Sequence, residues 1–199
     1  DWIANSMPRL LYACLHMPHP LAGHGGATAC HGYLSALVRR FEVDLITVCP
    51  PGREEWIREL EELARTVIPV PWTPSPPARL MQWAASAART GVFRPVLNRP
   101  FVAAVHRRMA EQRYDFVQAD WTEIAQWIYP AAGARMYACA IDVREKIAER
   151  RFRAASGAAA RMAAWARWRR IRSSEIRLFR RLDGALALSR SDAQRIEEL

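Results

Sequence analysis

The sequence predicts an α/β protein: a three-layer sandwich whose mostly parallel sheet lies between helices. Three observations carry this. Short apolar or β-branched runs recur at 10–15, 42–49, 67–70, 114–119, 135–141 and 184–188. Stretches with apolar residues every three or four positions separate them, the pattern of helices that bury one face. With 51% hydrophobic residues in 199, the chain can bury a sizeable core. Strands that alternate with helices need crossover connections, and those give parallel pairing. A single domain over 1–199 is expected, with 1–8 a leader or disordered because Met7 is the first methionine.

The opening unit is the most informative. Leu10 to Leu15 is a short apolar run, read as a strand covered on both faces. Pro18 and Pro20 exclude helix, and Gly23, Gly25 and Gly26 then let a ligand approach bare backbone. From Ala27, the residues Cys30, Leu34, Leu37, Val38 and Phe41 repeat at helical spacing. The free N–H groups of that helix's first turn suit a phosphate or carboxylate. Two sharper motifs fail. Thr28 stands where a dinucleotide fingerprint needs its third glycine, and the only lysine, Lys146, is far from any P-loop position.

Further along, 53–65 reads as a surface helix with Trp56, Leu60 and Leu63 facing in. A proline-rich loop through Pro71, Pro74, Pro76 and Pro77 follows the third strand. Helices are expected over 79–90 and 99–112. The fourth strand ends at Asp120, Trp121 and Thr122, and a helix runs on to Tyr129. Asp142 stands just past the fifth strand. Helical sequence from 143 to 181 has a break near Ser156-Gly157, and after the sixth strand Ser191 is placed to cap a last helix.

The net charge of +9 is concentrated. Between Arg144 and Arg181 stand 13 Arg/Lys against 3 Asp/Glu, which leaves the rest of the chain near neutrality. Phe152, Trp165 and Trp168 lie among these arginines. A solvated helix and an anionic membrane surface both fit that mixture. Nucleic acid is set aside because no nucleic-acid module is visible. Glu175, in the middle of the apolar stripe Trp168, Ile171, Leu178, Phe179 and Leu182, must find a donor or an arginine. No run is long enough to span a membrane and no secretory signal opens the chain. Cys14, Cys30, Cys49 and Cys139 form no CxxC pair. They read as free thiols in a reducing compartment, and no metal is expected, the spacing of Cys14, His16 and His19 not being a ligand pattern.

His16, His19 and His24 are candidates for hydrogen bonds to hydroxyl groups or phosphate. Asp120 and Asp142 sit at carboxyl ends of strands, where α/β sites form, and Ser189 follows the last strand. For each of these three, capping a helix is the competing role.

Four stretches together resemble a known family: LLYACLHMPHPLAGHGGATACHGYLSALVRRFEVDLITV, YDFVQADW, AIDVREKIAERR and EIRLFRRLDGALALSRSDAQRI. Their order and spacing are similar to the N-terminal domain of retaining, family-four-like glycosyltransferases of the GT-B fold. The resemblance implies a Rossmann-like half of a two-domain enzyme that holds the acceptor. A C-terminal domain, absent from these residues, would hold a nucleotide diphosphate sugar. It implies transfer to a hydroxyl of a glycan, lipid or small molecule, with no cofactor. The setting implied is the cytoplasm, at the inner face of the membrane. Carried over by position, Gly23, His24, Gly25, Gly26, His16 and Ser189 would bind substrate, and Asp120 and Asp142 would line the site. Many relatives have a histidine at the end of strand four or five, where this chain has aspartates. The fragment alone is expected to be inactive; the alternative is a non-catalytic anion-binding or membrane-surface module.

Overall fold

The computed structural model describes residues 7–23, 25–71, 80–81, 98–131 and 133–199. Six strands form an all-parallel sheet flanked by helices, as the alternation of runs predicts. In chain order the elements are β1 (Arg9–His16), α1 (Gly25–Leu37), β2 (Glu42–Cys49), α2 (Glu54–Glu61), β3 (Thr66–Pro71), α3 (Arg99–Glu111) and β4 (Phe116–Asp120). Then come α4 (Thr122–Ile128), β5 (Arg135–Ala140), α5 (Arg144–Ala154), α6 (Ala158–Phe179), β6 (Gly184–Ala187) and α7 (Arg190–Glu197). His24, residues 1–6, the loop from 72 and the helix expected over 79–90 lie outside the described residues, apart from Leu80 and Met81. The chain divides into two compact units, one built mainly on β1–β4 and the other on α4, β5, β6 and α5–α7.

In the first unit the strands lie in the order β3-β2-β1-β4. Leu10 pairs with Val43 on one side and Phe116 on the other. The same register sets Arg9 beside Glu42, 3.3 Å apart. Tyr12, Leu11, Leu45, Ile46 and Val117 are enclosed, and α1 adds Leu34, α2 Leu60 and α3 Phe101 to the core. Both faces of β1 and β2 are covered, which explains their unbroken apolar runs. β3 is the edge strand, the place where Pro69 and Pro71 cost the ladder least.

One charge is buried here. Asp44 has no exposure at all, and its carboxylate accepts from Arg65 Nε and Nη2 at 2.9 and 2.7 Å, from Arg108 Nη2 at 2.8 Å and from the Tyr114 hydroxyl. Burial pushes its pKa up, but the Tyr114 and Arg108 hydrogen bonds and the two guanidinium charges outweigh burial and hold it below the ordinary carboxylate range. α2 ends at Glu61, so Leu63 is exposed and not inward as the spacing predicts.

In the second unit β5 pairs with β6, with Tyr137 opposite Gly184. A Cβ added at Gly184 would meet the Tyr137 ring at 2.7 Å. The long helical stretch breaks at 155–157, where Gly157 takes φ +82°, a left-handed conformation that suits glycine. α5 and α6 pack through Ala148 and Ile171, and Phe152 stacks on Trp168 at 5.6 Å. The first half of α6 is largely exposed. α7 buries no residue and is held by ion pairs instead. Arg195 bonds the buried Glu145 at 2.7 and 2.8 Å, and Lys146 bonds Asp192 at 2.8 Å. Ser189, not Ser191, caps α7 by accepting the Asp192 N–H at 3.1 Å, while Ser191 accepts from Lys146. No helix among the described residues is long and apolar enough to cross a membrane.

Asp44→Ala strands two guanidinium groups and a buried hydroxyl, and is expected to cost about 3 kcal/mol in urea unfolding at pH 7. Because the folded pKa is depressed, the carboxylate's contribution is full above the unfolded value and is lost as pH falls through the folded one. The difference between wild type and variant should therefore narrow in acid; a difference constant with pH would contradict the ion-pair account.

Candidate functional site

The segment after β1 is rigid up to the glycines. His19 is buried with its ring flat on Trp56, centroids 4.3 Å apart and 7° between planes. Its Nδ1 accepts the Leu21 N–H at 3.2 Å, so the proton is on Nε2, which donates to Glu59 at 2.9 Å. That makes His19 a structural ring and not a ligand contact. His16 is exposed at the end of β1. Gly23 has φ +78°, while Gly25 opens α1 with nothing within 4 Å of a Cβ placed on it. Gly25 is exposed and Gly26 half-buried. The approach to the first turn of α1 at Gly25 is thus open, which is the local condition for an anion or hydroxyl to reach its N–H groups.

Asp120, expected from the sequence to line the site, is instead enclosed, only 1% exposed. Its carboxyl accepts from the Tyr12 hydroxyl and from Gln118 Nε2, and Gln118 in turn accepts from the Tyr33 hydroxyl. Burial pushes the Asp120 pKa up, and hydrogen bonds from Cys30, Tyr12, Cys14 and Gln118 recover only part of this. Cys14 and Tyr12 are likewise raised, first by burial. Cys14, Cys30 and Asp120 hold their ligand atoms within 4.8 Å of one another, a spacing that a metal ion could span. Here the carboxyl already has its donors, and Cys14 Sγ donates to the His16 carbonyl at 2.9 Å. All three are buried.

The second unit holds an outward-facing acid, Asp142, beside a set of buried polar groups. Trp121 follows β4 with φ +67°, a conformation non-glycine residues seldom take and one that clusters at functional sites. Thr122 opens α4, and Asp142 is exposed past the end of β5. Glu175 organises them. One of its carboxylate oxygens accepts from Thr122 Oγ1 and the Arg144 N–H, both at 3.3 Å, and the other accepts the Glu145 N–H at 2.9 Å. It therefore finds the donors that its place on an apolar stripe demanded, and they are the first amides of α5. Burial dominates its titration: the pKa rises to about 7 although both backbone hydrogen bonds and the Arg144 charge pull it down. The amino end of α5 is consequently filled by the protein's own carboxylate and is closed to an external anion.

Beside it is a cavity of about 110 Å³ lined by Trp121, Glu123, Asp142, Arg144, Arg151 and Arg167. Ile147, Ala148 and Ile171 give it an apolar side. Glu123 is 7% exposed; Oε1 pairs with Arg144, and Oε2 is buried without a hydrogen-bond partner. Of the residues expected from sequence, the cavity gathers Asp142 alone; Ser189 serves as a cap. Glu123, Arg151 and Arg167 were not singled out. Arg144 and Arg151 are seven apart, two turns along one helix face, which was the available signal. A larger hollow, about 540 Å³, lies at the carboxyl ends of β2 and β3 among Cys49, Pro50, Pro51, Ile57, Pro69 and Pro71. Its walls are mainly apolar, with few polar groups to orient a ligand.

Because the folded pKa of Glu175 is raised, stability contributed by its protonated form is complete below the unfolded value near 4.5 and falls away as pH rises to about 7. Glu175→Gln, whose amide oxygen keeps one acceptor for α5, should flatten this decline. Between pH 5 and pH 8 the variant is expected to gain on wild type by on the order of 3 kcal/mol in chemical unfolding. Parallel pH curves would show that the carboxyl is solvated.

Comparison with known proteins assigns no family. No protein-family model matches the chain, and no curated protein matches its sequence. Among solved structures, it is similar to Arabidopsis thaliana UGT89C1 complexed with UDP, at 13% identity and a TM-score of 0.47. The likeness covers 94% of this chain and 46% of that one, so the chain spans less than half the length of the protein it matches.

Proposed function

We propose that this chain is the acceptor-side half of a glycosyltransferase. The enzyme moves a sugar from a nucleotide diphosphate sugar to a hydroxyl of a glycan, lipid or small molecule, with anomeric configuration retained. The observation that carries the reading is the cavity past β4 and β5, where a strained Trp121, Asp142 and three arginines converge at carboxyl ends of parallel strands. The order of sequence motifs supports it. Asp142 is the group assigned to the acceptor hydroxyl, Gly25 and Gly26 the backbone a ligand approaches, and Asp120 an internal brace. His16, at the end of β1, and Gly23 and His24, from the sequence between β1 and α1, are assigned to substrate binding with them. Donor binding is assigned to a separate domain, so these 199 residues alone turn over no donor, and the chemistry needs no metal or cofactor. Action in the cytoplasm at the inner membrane face completes the reading.

Asp142→Asn tests it in the longer protein. Asp142 is exposed, so folding is retained while acceptor binding falls at least tenfold by calorimetry. Unchanged binding, or sugar transfer by the 199-residue chain alone, would favour the non-catalytic anion-binding module.

A second reading adds a membrane surface. Met162 and Trp165 are exposed on the first half of α6, with Arg169 over the Trp165 ring at 5.8 Å and Arg161 over Phe152 at 5.5 Å. Cations beside exposed apolar side chains suit an anionic lipid interface. The chain should sediment with vesicles containing phosphatidylserine and stay in the supernatant with phosphatidylcholine alone; no dependence on anionic lipid removes this reading.

A further inference from the structure

We propose that the cavity between α4, α5 and α6 takes a sugar that itself carries a phosphate or carboxylate, so that the acceptor is an acidic one. This rests on the acceptor-side reading above and names its substrate class. Three features of the cavity set the chemistry. The first is an acceptor. Asp142 lines the cavity and is exposed. A carboxylate oxygen can only accept, so it suits a donor, and a hydroxyl is the donor a sugar brings.

The second is charge. Arg144 is matched by Glu123, but Arg151 and Arg167 have no carboxylate partner among the described residues. Two planar cations over one cavity recognise phosphate or carboxylate in forked geometry. They also weigh against a divalent cation, despite the two carboxylates. The amino end of α5 cannot share the work, because Glu175 occupies it. The anion therefore falls to side chains.

The third is shape. Ile147 and Ile171 give the cavity an apolar side on which the carbon face of a sugar ring can rest. At about 110 Å³ the cavity is small, suited to an acidic group and the adjoining part of a ring.

Calorimetry on the 199-residue chain tests this with four probes: glucose 6-phosphate, glucuronate, glucose and inorganic phosphate. At least one charged sugar should bind tenfold or more tighter than both glucose and phosphate, and the one that does identifies the acidic group. Arg151→Gln and Arg167→Gln are surface changes that should each weaken that binding about fivefold and leave the circular dichroism spectrum unaltered. Three results overturn the inference: no charged sugar bound, phosphate alone bound as tightly as the charged sugars, or both arginine variants indistinguishable from wild type. The two readings fail separately. Transfer by the longer protein to a neutral acceptor, without charged-sugar binding, removes only the acidic class. Charged-sugar binding without transfer to any acceptor removes the transferase.

Discussion

A carboxylate out of reach of water has to be answered by donors that the fold itself supplies, and the second unit is built around such a demand. Glu175, near the carboxyl end of α6, has its oxygens on the first amides of α5 and on Thr122 at the start of α4. Three helices are thereby fixed at one point. The helix dipole of α5 and the orphan amides of its first turn are satisfied internally. Everything around the cavity follows, since Arg144, Arg151 and Glu123 belong to those helices and Arg167 lies two turns before Glu175. Glu145, next along α5, repeats the device on the other side: Trp168, Arg172 and Arg195 all donate to it and attach α6 and α7.

The first unit obeys the same rule with different donors. Asp44 is answered by two guanidinium groups and a hydroxyl, Asp120 by neutral donors from three elements. The Tyr114 hydroxyl together with Arg108 and Arg65 outweighs burial at Asp44 and holds its carboxyl low, whereas burial outweighs the hydroxyl, amide and thiol donors at Asp120 and drives that carboxyl upward. Neither is a reactive group. The structure spends buried acids on holding elements together and leaves Asp142, outside the strand, to meet solvent.

Much of the fold could be read from residue order. The six strands, the break near Gly157 and the glycine-opened start of α1 all follow from local signals: apolar runs, helical spacing, and residues that permit turns. What escaped depends on pairing across the sheet. Asp44 within EVDLITVC gives no sign that it is enclosed, because its partners stand 21 and 64 residues away. Leu63 keeps helical spacing, but α2 ends at Glu61 and leaves it exposed. Asp120 and Asp142 look alike in sequence, each an acid at a strand end. Asp120 is the last residue of its strand and lies inside, whereas Asp142 comes two residues after its strand has stopped and lies outside. Glu123 and Arg167 carry no motif, and only the packing of α4 against α6 reveals their meeting.

Gly184 carries one more implication. It leads β6, and the Tyr137 ring occupies the space a side chain there would need. Sliding β6 by one position would bring Asp183 or Ala185 under that ring, and the ring would have to move aside for either. An absent methyl group thus favours the observed pairing at an edge where four residues of ladder would otherwise discriminate poorly.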